Sequence, residues 1–571
     1  MAADAYTFNV ALEKDENEFI FSNRQYVWIS DQNSGNYPNG QIQFDLSSLS
    51  NSGKIIDFQQ SFLTIPLVLN IGSFTGTAPT ASAENVFAAS LKNSFLSLIN
   101  SLSLEISNNQ VINLTAFSNL DIHYRLLSTM DFNTYQNFGA SINFCKDTPE
   151  SINYQGGATS SNVGIGECNN NIKSSLFAAD SNYNGSIFTQ NAGRLERMKN
   201  TSFDINGVGA VNYTTTSNLN IAGKNYCVQN GTNITYYILA TIPLKCLHDI
   251  FTQLPLSKGI YCRLVINTHA QSSCTVTVNA NKYTSFTSSS PNNIIPFMLS
   301  PLSAAGYTGN GLALNAATTG FTVSLGIGKS TSGTITHHTM SQCRVYSCCY
   351  EFSPIFEEMY FTKVPVKKIL YDDILVFPIL NVPSLGNFSQ ILSNGVSRAR
   401  YLLIVPQLSS TINGGSSVTN TTFTAGAGTT QAGAYSPMNS PFSSSPCTCA
   451  PYAFVNNFNV LVSGTTIYQE NYNYRFQNFL QEFRSSRAIN GGVPINISSG
   501  LLNQNEYDAG YNYIYVNLSR RASESSADIS RSIQVQGTNN SNVSIDYYCI
   551  IGYQREINLS TATGSLVIDN N

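Results

Sequence analysis

Apolar positions along this chain fall mainly on alternate residues, and one such pattern is used twice. In 97–112, Leu98, Leu102, Leu104 and Ile106 align without a gap with Phe454, Phe458, Val460 and Val462 of 453–468, placing Asn100 on Asn456 and Ser107 on Ser463. Period-2 spacing predicts a half-buried strand in each copy. The polar pairs that follow, Asn108-Asn109 and Gly464-Thr465, predict turns. Beyond each turn the spacing changes to that of a helix, with Phe117, Leu120, Tyr124 and Leu127 on one face in the first copy and Phe476, Phe479, Leu480 and Phe483 in the second. A strand, a turn and a helix therefore recur far down the chain.

Two further parallels extend the repeat. The alternating segment 25–31, a turn at 35–40 and a strand at 41–46 lead to a turn at 50–53, then to a nearly continuous apolar strand at 62–69. Ser393-Asn394-Gly395 likewise reads as a turn before an apolar strand at 401–406. The tyrosine-rich and cysteine-bearing stretch 343–352 is matched by 544–553 near the C-terminus, as if each closed one half. The boundary then lies near residue 360: an N-terminal arm at 1–24, a first unit at 25–360 and a second at 361–571. Between these landmarks, 146–220 and 269–342 are rich in Ser, Thr, Gly and Asn and read as long loops with short strands. A strand at 233–240 precedes a short helix, with Thr241 as its cap, Pro243 in its first turn, and Leu244, Leu247, Ile250 and Phe251 on its apolar face. The Ser/Thr/Gly-rich insertion 409–451 is expected to be an exposed loop.

Composition supports an all-β chain and removes several functions. Only 11% of the 571 residues are charged, well below the roughly 25% of ordinary globular domains, while 32 Phe and 31 Tyr supply ample core material. A charge-poor, amide-rich and hydroxyl-rich chain suits sheets with many turns and a surface covered by copies of itself. The net charge of −4 does not suit a wrapper of nucleic acid, and no specific nucleic-acid motif is present. No signal peptide or transmembrane segment is recognisable, so synthesis in the cytosol is expected, with the 12 Cys as free thiols and the Asn-x-Ser/Thr triplets at Asn184, Asn212, Asn230, Asn233 and Asn496 unmodified.

Candidate chemistry is thin. Gly328-Lys329-Ser330-Thr331 resembles the end of a phosphate-binding loop, but Val323 stands where that loop needs its first Gly. His337 and His338 with Cys343, Cys348 and Cys349 are metal-capable at no recognised spacing, and Cys447-Thr-Cys449 lacks a second ligand pair, so no metal or cofactor is expected. Glu357-Glu358 and Asp372-Asp373 could serve glycosidic chemistry, although adjacent acids at a junction more often form a solvated link. Lys367-Lys368, Arg520-Arg521 and Arg531 could face anions but read as solvated surface, and none of His123, His248, His269, His337 and His338 sits in a nucleophile motif. Nothing here makes the case for an enzyme, and no catalytic residue is assigned.

The segments 26–31, 40–46, 50–54 and 60–67 resemble the opening strands of double jelly-roll major capsid proteins, above all those of polinton-like viruses and virophages. The run 242–251 followed by 254–259 resembles the helix and strand entry late in the first jelly roll of the same family. The resemblance implies two tandem eight-stranded jelly rolls with short helices and long inserted loops. It implies a homotrimeric, pseudo-hexagonal capsomer that meets neighbouring capsomers, a pentameric single jelly-roll vertex protein and minor or cement proteins. It further implies an icosahedral virion around double-stranded DNA. Two other readings compete. A carbohydrate-binding β-sandwich, such as a spike or lectin, would stack surface Tyr on sugars, for which one Trp is few. A two-domain glycoside hydrolase would rest on the acidic pairs alone.

Overall fold

The computed structural model describes residues 21–50, 53–72, 86–147 without 114, 226–301 with short breaks, 320–328, 342–409 without 364, 453–489, 500–521, 530–560 with a break at 542–543, 566–568, and scattered positions elsewhere, among them 193, 196–197, 200, 312–313, 422–424, 438, 441 and 449.

Sixteen strands build its frame. The first eight are β1 (Phe21–Ser30), β2 (Gln41–Asp45), β3 (Ile55–Gly72), β4 (Ile99–Ile106), β5 (Asn109–Ile112), β6 (Asn233–Pro243), β7 (Cys262–Thr268) and β8 (Arg344–Phe352). The second eight are β9 (Val366–Val382), β10 (Asn387–Val396), β11 (Ala399–Leu408), β12 (Val455–Val462), β13 (Thr465–Thr466), β14 (Ile514–Asn517), β15 (Arg531–Asn539) and β16 (Ile545–Ser560). In the first set β1-β8-β3-β6 pair in one sheet and β2-β7-β4-β5 in another. In the second set the orders are β9-β16-β11-β14 and β10-β15-β12-β13. Adding eight to each strand number converts one half into the other. All these pairings are antiparallel.

Alternation explains the layers. Ile42, Phe44, Leu63, Ile65, Leu104, Leu264 and Val345 are buried between the two sheets of the first half, as are Leu402, Ile404, Val460, Ile533, Val535 and Ile551 in the second. The duplicated unit of the sequence is the hairpin β4–β5 and its counterpart β12–β13. Its turn lies one residue earlier than the polar pairs indicate. Ser107 and Asn108 (φ 50° and 64°) match Ser463 and Gly464 (φ 50° and 78°), the left-handed pair that a two-residue hairpin needs. After it come helix α1 (Ser118–Thr129) and its counterpart α4 (Phe476–Ile489). Even the tie to the helix recurs: the Asn100 side chain accepts from the Phe117 amide at 3.3 Å, and the Asn456 side chain from Arg475 at 3.3 Å.

Several expectations change. The first strand begins at Phe21, so 21–24 belong to the sheet rather than to an arm. Ser393-Asn394-Gly395 lies inside β10, at register shifts against β15, and the chain turns afterwards, at Arg398 (φ 50°). Thr241 does not cap a helix, because β6 continues to Pro243; two short helices follow, Leu244–Leu247 and α2 (Ile250–Gln253), and bury the four apolar residues named for them. The described parts of 409–451 do not form an exposed loop: Thr422–Thr424 pairs with the first-half strand Lys282–Ser289, Met438 is buried with its carbonyl accepting from the Ile295 amide, and Cys449 is buried.

Candidate assembly surfaces

The most elaborate polar site lies where the halves meet. Its centre is Asp373 on β9, 1% exposed. Arg555 on β16 donates to Asp373 at 3.1 Å and to the Val111 carbonyl of β5. Asn113, just past β5, donates through its side chain to the Tyr553 hydroxyl at 2.7 Å, and the Tyr371 hydroxyl donates to Val111 at 2.6 Å. His248, before α2, holds Nε2 3.4 Å from Asp373, while its Nδ1 accepts from the Ile250 amide. That amide contact leaves the imidazole proton on the nitrogen facing the carboxylate. Burial opposes ionisation of Asp373, but the His248 imidazole beside it, the Ile374 amide and the Arg555 charge outweigh it and lower the carboxyl's pKa.

A second polar layer lies beside the first. Asp249 accepts from the Asp372 amide, Arg400 pairs with the Asp372 carboxylate at 3.0 Å, and the Tyr401 hydroxyl donates to Asp121 of α1. Burial raises the Asp372 pKa despite Arg400. Below these layers the contact turns aromatic. Phe117 meets Tyr548 at 4.9 Å, and Tyr124 of α1 meets Tyr513 at 5.1 Å and Tyr515 at 6.0 Å. At the far end Lys146 pairs with Glu506 at 2.8 Å, and Gly500, with φ of +71°, packs against the carbonyls of Leu127 and Ser128.

The candidate chemical residues are thereby reassigned. Asp372 and Asp373 are a partly buried to fully buried junction, not a solvated link, because β9 is covered by β5 and α2. Glu357 pairs with Lys258, Lys368 with Glu556, and Lys367 stands 3.4 Å over the Tyr360 ring. Cys343, Cys348 and Cys349 are buried among strand residues, and the nine cysteines whose side chains are described are unbridged. His123 and His269 are buried, and burial pushes the pKa of each down to about 3, so they stay neutral. Among the described residues no cluster of three or more His, Cys, Asp or Glu could hold a metal ion. His337, His338, Lys329 to Thr331, Cys447, Asn184, Asn212 and Asn496 lie outside the described residues. The junction itself escaped sequence reasoning, since its groups come from segments hundreds of positions apart; the tyrosine-rich strand 544–553 was its one visible trace.

Among the described residues, exposed apolar side chains include those of one helix and one sheet face. The helix α3 (Pro354–Lys363) joins β8 to β9, buries none of its side chains, and exposes Ile355 and Met359. The outer face of the first half's larger sheet carries Tyr26 and Trp28, which are 45% and 52% exposed. Among the described residues, no helix is long and apolar enough to cross a membrane.

No protein-family model matches the chain, and no curated protein is similar enough in sequence to count as a relative. Solved structures do match. A chain of the Sputnik virophage, 12% identical, aligns over 98% of this chain and 92% of its own with a TM-score of 0.50. This chain is a double jelly roll. The mavirus major capsid protein, at 11% identity, aligns over 99% of this chain and 94% of its own with a TM-score of 0.42. At such identities the likeness is one of fold, and this chain's own strand orders define it: two units, each built on eight strands that pair four and four in facing sheets, with further strands added at the edges.

Proposed function

We propose that this double jelly roll is a viral major capsid protein that acts by assembly rather than catalysis. The reading divides the chain into units at 25–360 and 361–571, three copies of which form a pseudo-hexagonal capsomer. Such capsomers tile an icosahedral virion around double-stranded DNA, with a pentameric single jelly-roll protein at the vertices and minor or cement proteins between. The observation that carries it is the duplication: one chain holds two sandwiches of the same strand order, joined by a buried junction, so three chains can fill six like positions around a ring. Low charge and uncovered apolar elements such as α3 support the same reading, since surfaces buried between copies are depleted of charge. Burial of that apolar surface supplies the driving force.

Electron microscopy of the purified chain tests it. Hexagonal tiles about as wide as six sandwiches are expected; a featureless small particle would count against it. The exposed Trp28 and Tyr26 favour one second reading, a carbohydrate-binding protein, and retention on immobilised glycans by particles that form no tiles would support that instead.

A further inference from the structure

The sequence carries eight Asn-Gly pairs, and two of them, Asn39-Gly40 and Asn394-Gly395, lie wholly within the described residues. The pair is chemically special. Glycine has no side chain to shield its backbone nitrogen, so that nitrogen can reach the carboxamide carbon of the asparagine before it. The reaction needs the peptide between the two residues to swing round. Both asparagine side chains are exposed, and the two glycines differ.

Gly40 is locked. It is buried, and its amide donates to the Tyr37 carbonyl at 3.2 Å. Its carbonyl accepts from the Thr268 hydroxyl at 2.8 Å, and the Thr268 and Ala270 carbonyls lie 2.8 Å from where a Cβ would stand. Its φ is +72°, and Asn39 before it is also left-handed, with φ 55° and ψ 23°. Swinging the 39–40 peptide would break the amide bond and press the glycine into those carbonyls.

Gly395 is open. It is exposed on β10, the end strand of β10-β15-β12-β13, and nothing lies within 4 Å of its Cβ position. The register pairs Ser393 with Ile533 and Val396 with Arg531. β10 therefore carries one residue more than β15 here, and neither Asn394 nor Gly395 has a partner in the ladder. The Gly395 amide donates to the Ser393 hydroxyl at 3.3 Å, an exposed bond that water can replace. This bulge is how a turn signal comes to sit inside a strand.

We propose that Asn394 is a site of spontaneous deamidation in the folded chain. The Gly395 nitrogen attacks the Asn394 carboxamide carbon. The new C–N bond closes a succinimide ring, the bond to the side-chain nitrogen breaks, and ammonia leaves with the proton of the Gly395 amide. Water then opens the ring at either carbonyl, giving aspartate or isoaspartate. β10 contains no charged residue, and the product gives it one negative charge. A charge on an end strand hinders pairing with a further strand, so the modification alters this edge as the protein ages. The inference does not depend on the capsomer reading.

The test incubates the full-length folded chain at mildly alkaline pH in water labelled with heavy oxygen. Digestion in ordinary water follows, so that later events stay unlabelled, and peptides are read by mass spectrometry. The peptide containing 394–395 is expected to gain the label, as both aspartate and isoaspartate, while the peptide containing 39–40 gains none. In urea, where the fold no longer separates the two pairs, both are expected to react at similar rates. Gly395→Val, placed in open space, is expected to abolish labelling at Asn394. No label at Asn394 in the folded chain, equal label at Asn39, the same preference in urea, or label that survives Gly395→Val would each overturn the proposal.

Discussion

The two larger sheets share a strand order and differ in what lies on them. On the covered face the rings are mostly Tyr, and hydroxyls at the junction have partners: Tyr401 on Asp121, Tyr553 on Asp373, Tyr371 on the Val111 carbonyl. On the open face Trp28 and Phe62 appear, and Arg24 and Arg344 lie over rings rather than in ion pairs. A hydroxyl buried for the life of the chain must be satisfied, or it costs about 1–3 kcal/mol. A face that spends part of its life in water has no such demand. The two halves keep one frame and differ in how much of this face the described residues cover.

The sharpest way to break this comparison is at the permanent contact. Asp373→Leu leaves Arg555 and His248 without their carboxylate, and the chain is expected to lose about 3–5 kcal/mol in urea unfolding; an unchanged midpoint would mean the junction is not a structural unit. Tyr548→Ala, on the covered face, is expected to cost about 3 kcal/mol. Gly500→Ala would drive a methyl into the α1 carbonyls from a left-handed backbone position, and should destabilise by more than about 1 kcal/mol. The same unfolding assay, run at dilution where single chains prevail, should find Trp28→Ala within about 0.5 kcal/mol of wild type. If Trp28 proved as costly as Tyr548, the two faces would not differ in cover.

The pH dependence sharpens the same point. Because the Asp373 pKa is lowered in the fold, its contribution is present above the unfolded value of about 3.9 and is lost as pH falls through the folded value. The raised pKa of Asp372 acts in the opposite direction, favouring the fold as that group protonates. Asp373→Asn isolates the first effect: thermal unfolding scans should show a shallower fall in stability below about pH 4 than in wild type.

The frame was legible because it is local. Alternation revealed β4, β12 and the strands at 62–69, 401–406, 343–352 and 544–553, and the gapless match of Asn100 with Asn456 survives as a shared tie to the following helix. Boundaries were less legible. Hydrogen bonding to β8 extends β1 back to Phe21, and pairing with β3 carries β6 through Thr241 to Pro243, neither of which has a local signal. The junction was hidden altogether. Val111, His248, Asp373 and Arg555 meet only through the tertiary fold, so Asp372-Asp373 read as two adjacent acids on a linker. For the same reason the polar composition of 409–451 concealed a strand that pairs with the other half.

The most direct test of the assembly claim is the solution mass of the purified wild-type chain, measured by light scattering across a range of concentrations. The account predicts a stable species of three times 62.2 kDa. A species of 62.2 kDa that persists at high concentration would contradict it, and would leave a duplicated fold whose open aromatic face serves some other partner.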